Sequence, residues 1–122
     1  MVKVGQGILG KFPFKDGDFP AYRRTYIVVF VSDESIGLLN VSSVAGKEHK
    51  LLYPTNKHIE KFNPPFWKDC FVKLDSYVLI PVSQFYDYEI LGGGACLDCN
   101  ELQDILSSII SVSYTHLRAH ET

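Results

Sequence analysis

Two arginines and two serines are the residues in this chain best suited to chemistry on a phosphate. Arg23 and Arg24 directly precede one apolar run, and Ser42 and Ser43 close the next one, IGLLNVSS. A guanidinium binds a phosphate through two parallel hydrogen bonds, and a hydroxyl can donate to a phosphate oxygen. The alternative is that both arginines are solvated charges at the end of a strand. Strand pairing decides whether these residues meet.

Further polar residues follow the serines in the segment VAGKEHK. Lys47 and Lys50 offer positive charges to a phosphate backbone, and His49 is a candidate proton shuttle because imidazole titrates near neutral pH. The alternative for Lys47 and His49 is an exposed turn without a function. His58, in contrast, is predicted to be a loop residue rather than a catalyst.

The elements that must position these residues are predicted to be strands. The segment Thr25–Val31, TYIVVFV, is rich in β-branched and aromatic residues and predicts a strand buried on both faces. IGLLNVSSV follows after only SDES, which predicts a hairpin with Arg24 and Ser42 at the same end. Further strands are predicted at residues 7–14 (GILGKFPF), 50–53 (KLLY) and 71–82 (FVKLDSYVLIPV).

The last element is predicted to be a helix. After LGGGA the apolar residues recur at helical spacing, at Leu102, Ile105, Leu106, Ile109 and Ile110. Asn100 stands at the expected N-cap, and Glu101 lies in the first turn, where the helix dipole favours an anion. Several short strands followed by one helix predict a small, strongly bent sheet or barrel with a helix packed on its side.

Composition limits the class of protein. The chain has 122 residues, of which 46% are hydrophobic and 21% charged, as in one globular domain with a real core. A formal net charge of −2 argues against binding nucleic acid through bulk charge, so any such contact must be local. No long apolar segment is present and the first residues lack a signal-peptide pattern, so we expect a cytoplasmic protein without a membrane span.

The three cysteines predict neither a disulfide framework nor a metal site. Their number is odd, and the pair Cys96 and Cys99 has no second pair of Cys or His at the spacing that zinc requires. We interpret Cys70, Cys96 and Cys99 as reduced thiols, the last two beside the start of the helix.

The C-terminal segment is predicted to be non-native. Val112–Thr122, VSYTHLRAHET, resembles the peptide that arises when a reading frame runs into a sequencing adapter, so residues 1–111 are taken as the single domain. The alternative is a basic tail in which His116, Arg118 and His120 bind a ligand.

Several motifs together resemble the MazF/PemK family of bacterial toxins. Gly5–Phe14 resembles the family's opening "GDI-x-x-x-x-F" strand, and Arg24–Val28 its arginine leading into an apolar strand. Asn40–Ser43 falls where the family carries Pro-[Leu/Ile]-Thr-[Ser/Ala], and FVKLDSYVLIP is similar to its later strand. The likeness spans about residues 4–110. Thr25 and Asn40 stand in place of prolines, and Ser42 in place of the stiffer threonine.

The resemblance implies a fold, an activity and partners. The fold would be mainly β with a C-terminal helix, an SH3-like small β-barrel of the MazF/PemK (CcdB-like) type. The activity would be that of a homodimeric, metal-independent endoribonuclease toxin of a type II toxin–antitoxin system, inhibited by a cognate antitoxin and needing no cofactor. Such toxins cleave single-stranded RNA by attack of the 2′-hydroxyl, which leaves a 2′,3′-cyclic phosphate and a 5′-hydroxyl.

Carried over by position, the resemblance assigns roles to single residues. Arg24 would hold the scissile phosphate and Ser42 would be the catalytic hydroxyl. Apart from the resemblance, four neighbouring residues are candidates to bind substrate: Arg23, Ser43, Lys47 and His49. The aromatic residues of the proline-rich segment, Phe62, Phe66 and Trp67, would stack RNA bases or else cover the core. The alternative function is a non-catalytic barrel of the same fold that binds RNA or a protein.

Overall fold

A computed structural model of the chain describes residues 2–13 and 18–109. Within them, seven strands form one antiparallel sheet and residues 99–109 are helical (α1). The strands are β1 (Gly7–Gly10), β2 (Arg24–Val31), β3 (Ser35–Ser43), β4 (Asn56–Ile59), β5 (Cys70–Lys73), β6 (Val78–Pro81) and β7 (Tyr88–Ile90). Short 3₁₀ helices span Glu48–Leu52, Val82–Gln84 and Gly92–Gly94.

Strand β3 is the centre of the sheet. One edge of β3 pairs with β2 along most of its length, and its other edge changes partner. Ser35–Leu38 pairs with β6, whereas Val41–Ser43 pairs with β5. The order β4-β5-β3-β2-β1-β7 leaves β4 and β7 as the two outer strands. The prediction of a mainly β protein with a C-terminal helix is confirmed, and the sheet of the described residues is not closed into a barrel.

Both faces of the sheet are buried, so the core has two parts. Alternate residues of a strand point to opposite faces. Ile27 and Leu39 pack on the face covered by α1, where Ile105 is also fully buried. Val28 and Leu38 pack on the other face, which carries a second apolar cluster. Burial of each such side chain stabilises the fold by about 1.5–3 kcal/mol. The prediction that β2 is buried on both faces is confirmed.

Two strand predictions were wrong, and two strands were missed. KLLY lies mostly within the 3₁₀ helix Glu48–Leu52, and Leu52 is 85% exposed, because no strand pairs with this segment. The strand predicted at residues 71–82 is divided into β5 and β6 by a turn that the Ser76 N–H closes on the Lys73 carbonyl at 3.1 Å. The polar strand β4 and the short strand β7 were not predicted at all.

The N-terminus of α1 lies at Asp98 rather than at the predicted Asn100. The Asp98 carboxylate accepts hydrogen bonds from the backbone N–H groups of Asn100 and Glu101, at 3.1 and 3.2 Å. These are the two donors that an N-cap side chain satisfies. Glu101 has another role, because its carboxylate accepts from the Lys61 N–H at 3.1 Å and so ties the helix to the segment before β5.

The described residues end before the C-terminal tail. The predicted boundary near Ser111 and the segment Val112–Thr122 lie outside them, as do Phe14 and Ile110 of the predicted apolar patterns. Among the helices within the described ranges, none combines the length and the apolar character that a membrane crossing demands.

Replacement of Asp98 by alanine tests the position of the cap. Asp98→Ala is expected to lower the free energy of unfolding by about 1 kcal/mol, because two N–H groups lose their acceptor. Asn100→Ala, at the cap predicted from sequence, is expected to change it by less than about 0.5 kcal/mol. Urea unfolding followed by circular dichroism measures both, and equal losses in the two variants would contradict Asp98 as the cap.

Candidate functional site

Arg24 and Ser42 lie at the same end of the β2–β3 pair. The register pairs Thr25 with Val41, and the next position in that register brings Arg24 opposite Ser42. Residues directly opposite in an antiparallel pair place their side chains on the same face. The Arg24 guanidinium also lies over the Tyr22 ring, 5.2 Å from its centre, and this cation–π contact restricts where the charge can point.

Asn40, which is buried, organises the strand end around Ser42. Its side-chain amide donates to the Thr25 carbonyl at 3.1 Å, and its backbone N–H donates to the Ser76 hydroxyl at 2.8 Å. The Ser42 hydroxyl in turn donates to the amide oxygen of Asn40 at 3.4 Å. That distance is long for a hydroxyl donor, so the Ser42 hydroxyl can turn toward a ligand. Sequence analysis noted Asn40 only as a replaced proline.

Four cations form a cluster near this strand end: Arg24, Lys47, Lys50 and Lys73. Sequence analysis did not identify Lys73. Lys73 follows Val72, which faces α1, so its side chain lies on the face of Ser42. Burial lowers the pKa of Lys73, and the charges of Lys50, Arg24 and Lys47 lower it further, against the opposing effect of Asp75. Such a cluster of like charges is relieved by a bound anion.

Arg23 takes no part in this cluster. Its guanidinium donates to Asp87 at 2.6 Å and lies 3.3 Å from Glu89 on β7. These carboxylates, Asp87 foremost, raise the pKa of Arg23. The structure therefore puts Arg23 in an ion pair beside β7, while Arg24, the next residue, faces the cluster.

Ser43 points to the opposite face from Ser42, toward a cavity of about 250 Å³ on the α1 side of the sheet, and Ser42 also lines the edge of that cavity. Phe66 and Trp67 both line this cavity but differ in burial. Phe66 is buried in the core and Phe62 packs against it, whereas Trp67 is 83% exposed. These aromatic residues were expected either to stack bases or to cover the core. Phe62 and Phe66 belong to the core, whereas Trp67 is accessible to a ligand.

Neither histidine of the described residues is held against Ser42. His49 is exposed within the 3₁₀ helix that follows Lys47. His58 lies in β4, so the predicted loop was wrong, and its Nε2 forms a 2.6 Å contact with Asp69. His58 pairs with Phe71, which pairs with Ser42. Because Phe71 is fully buried between them, His58 and Asp69 form a separate pair.

The cysteines contribute no reactive group to the site. Cys70 is buried, and desolvation with the charges of Asp69 and Glu101 raises its pKa to about 12, so its thiol stays protonated. Cys96 and Cys99 are exposed free thiols. In the described ranges no three His, Cys, Asp or Glu side chains are grouped as a metal site would need.

No protein-family model matches this chain, and no curated protein matches it either.

Removal of the Ser76 hydroxyl tests the role of Asn40 at the strand end. Ser76→Ala leaves the buried Asn40 N–H without its acceptor, and we expect a loss of about 1–3 kcal/mol in the free energy of unfolding. The exposed Ser83 is the matched control, with an expected change within about 0.5 kcal/mol for Ser83→Ala. Urea unfolding measures both variants. Equal midpoints would contradict the role of this hydrogen bond.

Replacement of Lys73 tests the cation cluster. Because the pKa of Lys73 is lowered from 10.5, the charged form costs folding free energy at pH 7, and this cost fades as the pH rises through the lowered pKa. Lys73→Met is therefore expected to stabilise the protein at pH 7 by about 0.2–1 kcal/mol, given solvent screening. The gain should shrink toward pH 10.5.

Unfolding of wild type and Lys73→Met at both pH values measures this effect, with Lys57→Met, on the opposite face of the sheet, as the control. Sulfate is expected to raise the melting temperature of wild type more than that of Lys73→Met, because an anion relieves the repulsion. A Lys73→Met variant that gains stability only at high pH would contradict the cluster.

Proposed function

We propose that this protein is a metal-independent endoribonuclease toxin of a type II toxin–antitoxin system, with the SH3-like fold and homodimeric assembly of the MazF/PemK type. The observation that carries the proposal is the cation cluster beside Ser42 in a chain of net charge −2. Concentrated positive charge on an otherwise acidic protein suits one local segment of a phosphate backbone. The order of the family-like motifs supports single-stranded RNA as the substrate and an antitoxin as the protein partner.

The proposed reaction needs few groups, because the substrate supplies its own nucleophile. The 2′-oxygen attacks the adjacent phosphorus, the bond from phosphorus to the 5′-oxygen breaks, and a 2′,3′-cyclic phosphate forms. Arg24 holds the non-bridging oxygens, on which negative charge grows, and the Ser42 hydroxyl donates to one of them. The fixed position of Arg24 over Tyr22 makes this stabilisation available before the reaction begins.

Proton transfer completes the reaction. The leaving 5′-oxygen must gain a proton, and Lys73 is the best-suited donor of the cluster because its lowered pKa makes it the stronger acid. The 2′-hydroxyl must lose a proton, and His49, on the exposed segment that follows Lys47, is the proposed acceptor. Arg24 is unsuited to that role because a guanidinium stays protonated.

One observation favours a second candidate function. The groups described around Ser42 are cations, an amide, hydroxyls and the carboxylate of Asp75, and these suffice to bind a phosphate without cleaving it. The alternative is a non-catalytic module of the same fold that binds RNA. The two candidates differ in whether new RNA ends appear.

Cleavage of RNA by the purified protein tests the proposal. Wild type is expected to cut single-stranded RNA in the presence of a chelator and to leave 5′-hydroxyl ends, and its induction should arrest bacterial growth. Arg24→Ala and Ser42→Ala are each expected to lower the cleavage rate about 10²–10³-fold, through loss of charge stabilisation. The matched control is Arg23→Ala, which removes the neighbouring guanidinium from its ion pair with Asp87 and should retain most of the activity.

Each outcome separates one part of the proposal from another. An absence of new 5′-hydroxyl ends, together with binding of RNA that depends on Arg24, would favour the non-catalytic module. Equal cleavage by wild type and Arg24→Ala would refute the site even if the protein is a ribonuclease.

A further inference from the structure

The cavity on the α1 side of the sheet is a built slot rather than a surface depression. Its apolar walls come from different parts of the chain: Leu9, Val41, Phe66, Trp67, Cys70 and Leu91. Gly7 is necessary for this wall, since a Cβ at that position would lie 2.8 Å from the Phe66 ring. The slot is therefore shaped by the close approach of the proline-rich segment to β1.

Three features of the slot suit a planar heterocycle with polar edges. The Trp67 indole lines the cavity and is 83% exposed, so it offers a free aromatic face. Thr25, Ser42 and Ser43 are hydroxyl-bearing residues in a lining that is otherwise largely apolar, and hydroxyls can donate to or accept from the edge of a base. The volume of about 250 Å³ lies just under the range of about 300–1,000 Å³ for drug-sized ligands, which favours a single ring system.

The position of the slot links it to the cation cluster. Ser42 and Ser43 are adjacent in β3 and face opposite sides of the sheet, so the cluster and the slot share one strand end. Lys68 also lines the slot and adds a positive charge on that side. A polyanion that crosses this strand end would meet charge on one face and an apolar slot on the other.

We propose that this slot receives one unpaired base of the RNA, stacked on Trp67, next to the phosphate held by Arg24 and Ser42. The inference rests on the proposed function for the identity of the polyanion and goes beyond it by assigning a base-binding subsite. Bases of a duplex are engaged in stacking and pairing, so only single-stranded RNA presents a free base. The subsite would thus make the protein selective for unpaired RNA before any cleavage occurs.

The single tryptophan of the chain allows a direct test, because its fluorescence reports on the slot alone. We expect short single-stranded RNA to quench Trp67 in the full-length wild-type protein, whereas the same sequence as a duplex should not. A set of oligonucleotides with one abasic site moved along the strand should lose the quenching at one position. A non-cleavable 2′-O-methyl backbone keeps binding separate from reaction.

Variants test whether the indole supplies binding. Trp67→Ala is expected to weaken binding of labelled single-stranded RNA about tenfold, and Trp67→Phe, which keeps an aromatic face, should recover most of the affinity. Tyr86→Ala removes a similarly exposed aromatic side chain, 78% exposed, from outside the slot and is expected to bind RNA as wild type does.

The outcomes distinguish this inference from the proposed function. RNA cleavage without quenching of Trp67 would overturn the subsite and leave the ribonuclease proposal intact. Quenching without cleavage would support the subsite and contradict the proposed ribonuclease activity. Quenching that is equal for duplex and single strand overturns the subsite, and so does a change of Trp67 emission with protein concentration alone, which would show that a second copy fills the slot.

Discussion

The hydrogen bonds of Asn40 are the constraint on which the candidate site depends. At this residue β3 leaves β6 and meets β5, so its N–H has no strand partner and Ser76 supplies one instead. A buried amide without partners would cost several kcal/mol, and here the side chain also binds the Thr25 carbonyl. One residue therefore joins the β2–β3 pair to the turn between β5 and β6. Because Arg24 is next to Thr25, and the Lys73 carbonyl closes that turn, the backbone at both cations is held in place relative to Ser42.

The same strand end carries a conflict between stability and binding. Apolar side chains are buried on both faces of the sheet. Their burial stabilises the fold and offsets the repulsion between Lys73 and its neighbouring cations. Binding sites commonly concentrate like charge or strain that the rest of a fold offsets. The ion pair of Arg23 shows the contrast, since a guanidinium one residue away is neutralised by carboxylates. The side of the strand end where Lys73 and its neighbouring cations gather is the side suited to an anion.

Periodicity and loop length were enough to predict the central hairpin and the meeting of Arg24 and Ser42. The apolar runs are dense and the connection is short, so few pairings were possible. Other features of the fold and of the site could not be predicted from the sequence, for physical reasons. The sequence of β4, Asn-Lys-His-Ile, has no alternation of apolar residues that would predict a strand. Ser76, which binds the Asn40 N–H, lies 36 positions away along the chain. Asp98 and Asn100 are equally good caps by residue type, and only the backbone geometry selects Asp98. The burial of Phe66 depends on the space left by Gly7, which no pattern in the sequence indicates.

The doublet of serines at the end of β3 has a consequence for how this chain can change. The two side chains are chemically identical, and the parity of their positions turns them to opposite faces of the sheet, although both residues line the slot. A single-residue insertion or deletion earlier in β3 would exchange these environments while leaving a serine in one of them. A point substitution can therefore change one of the two environments alone, whereas a shift of the strand by one residue changes both together. The strand's length is as much a functional determinant as the residues it carries.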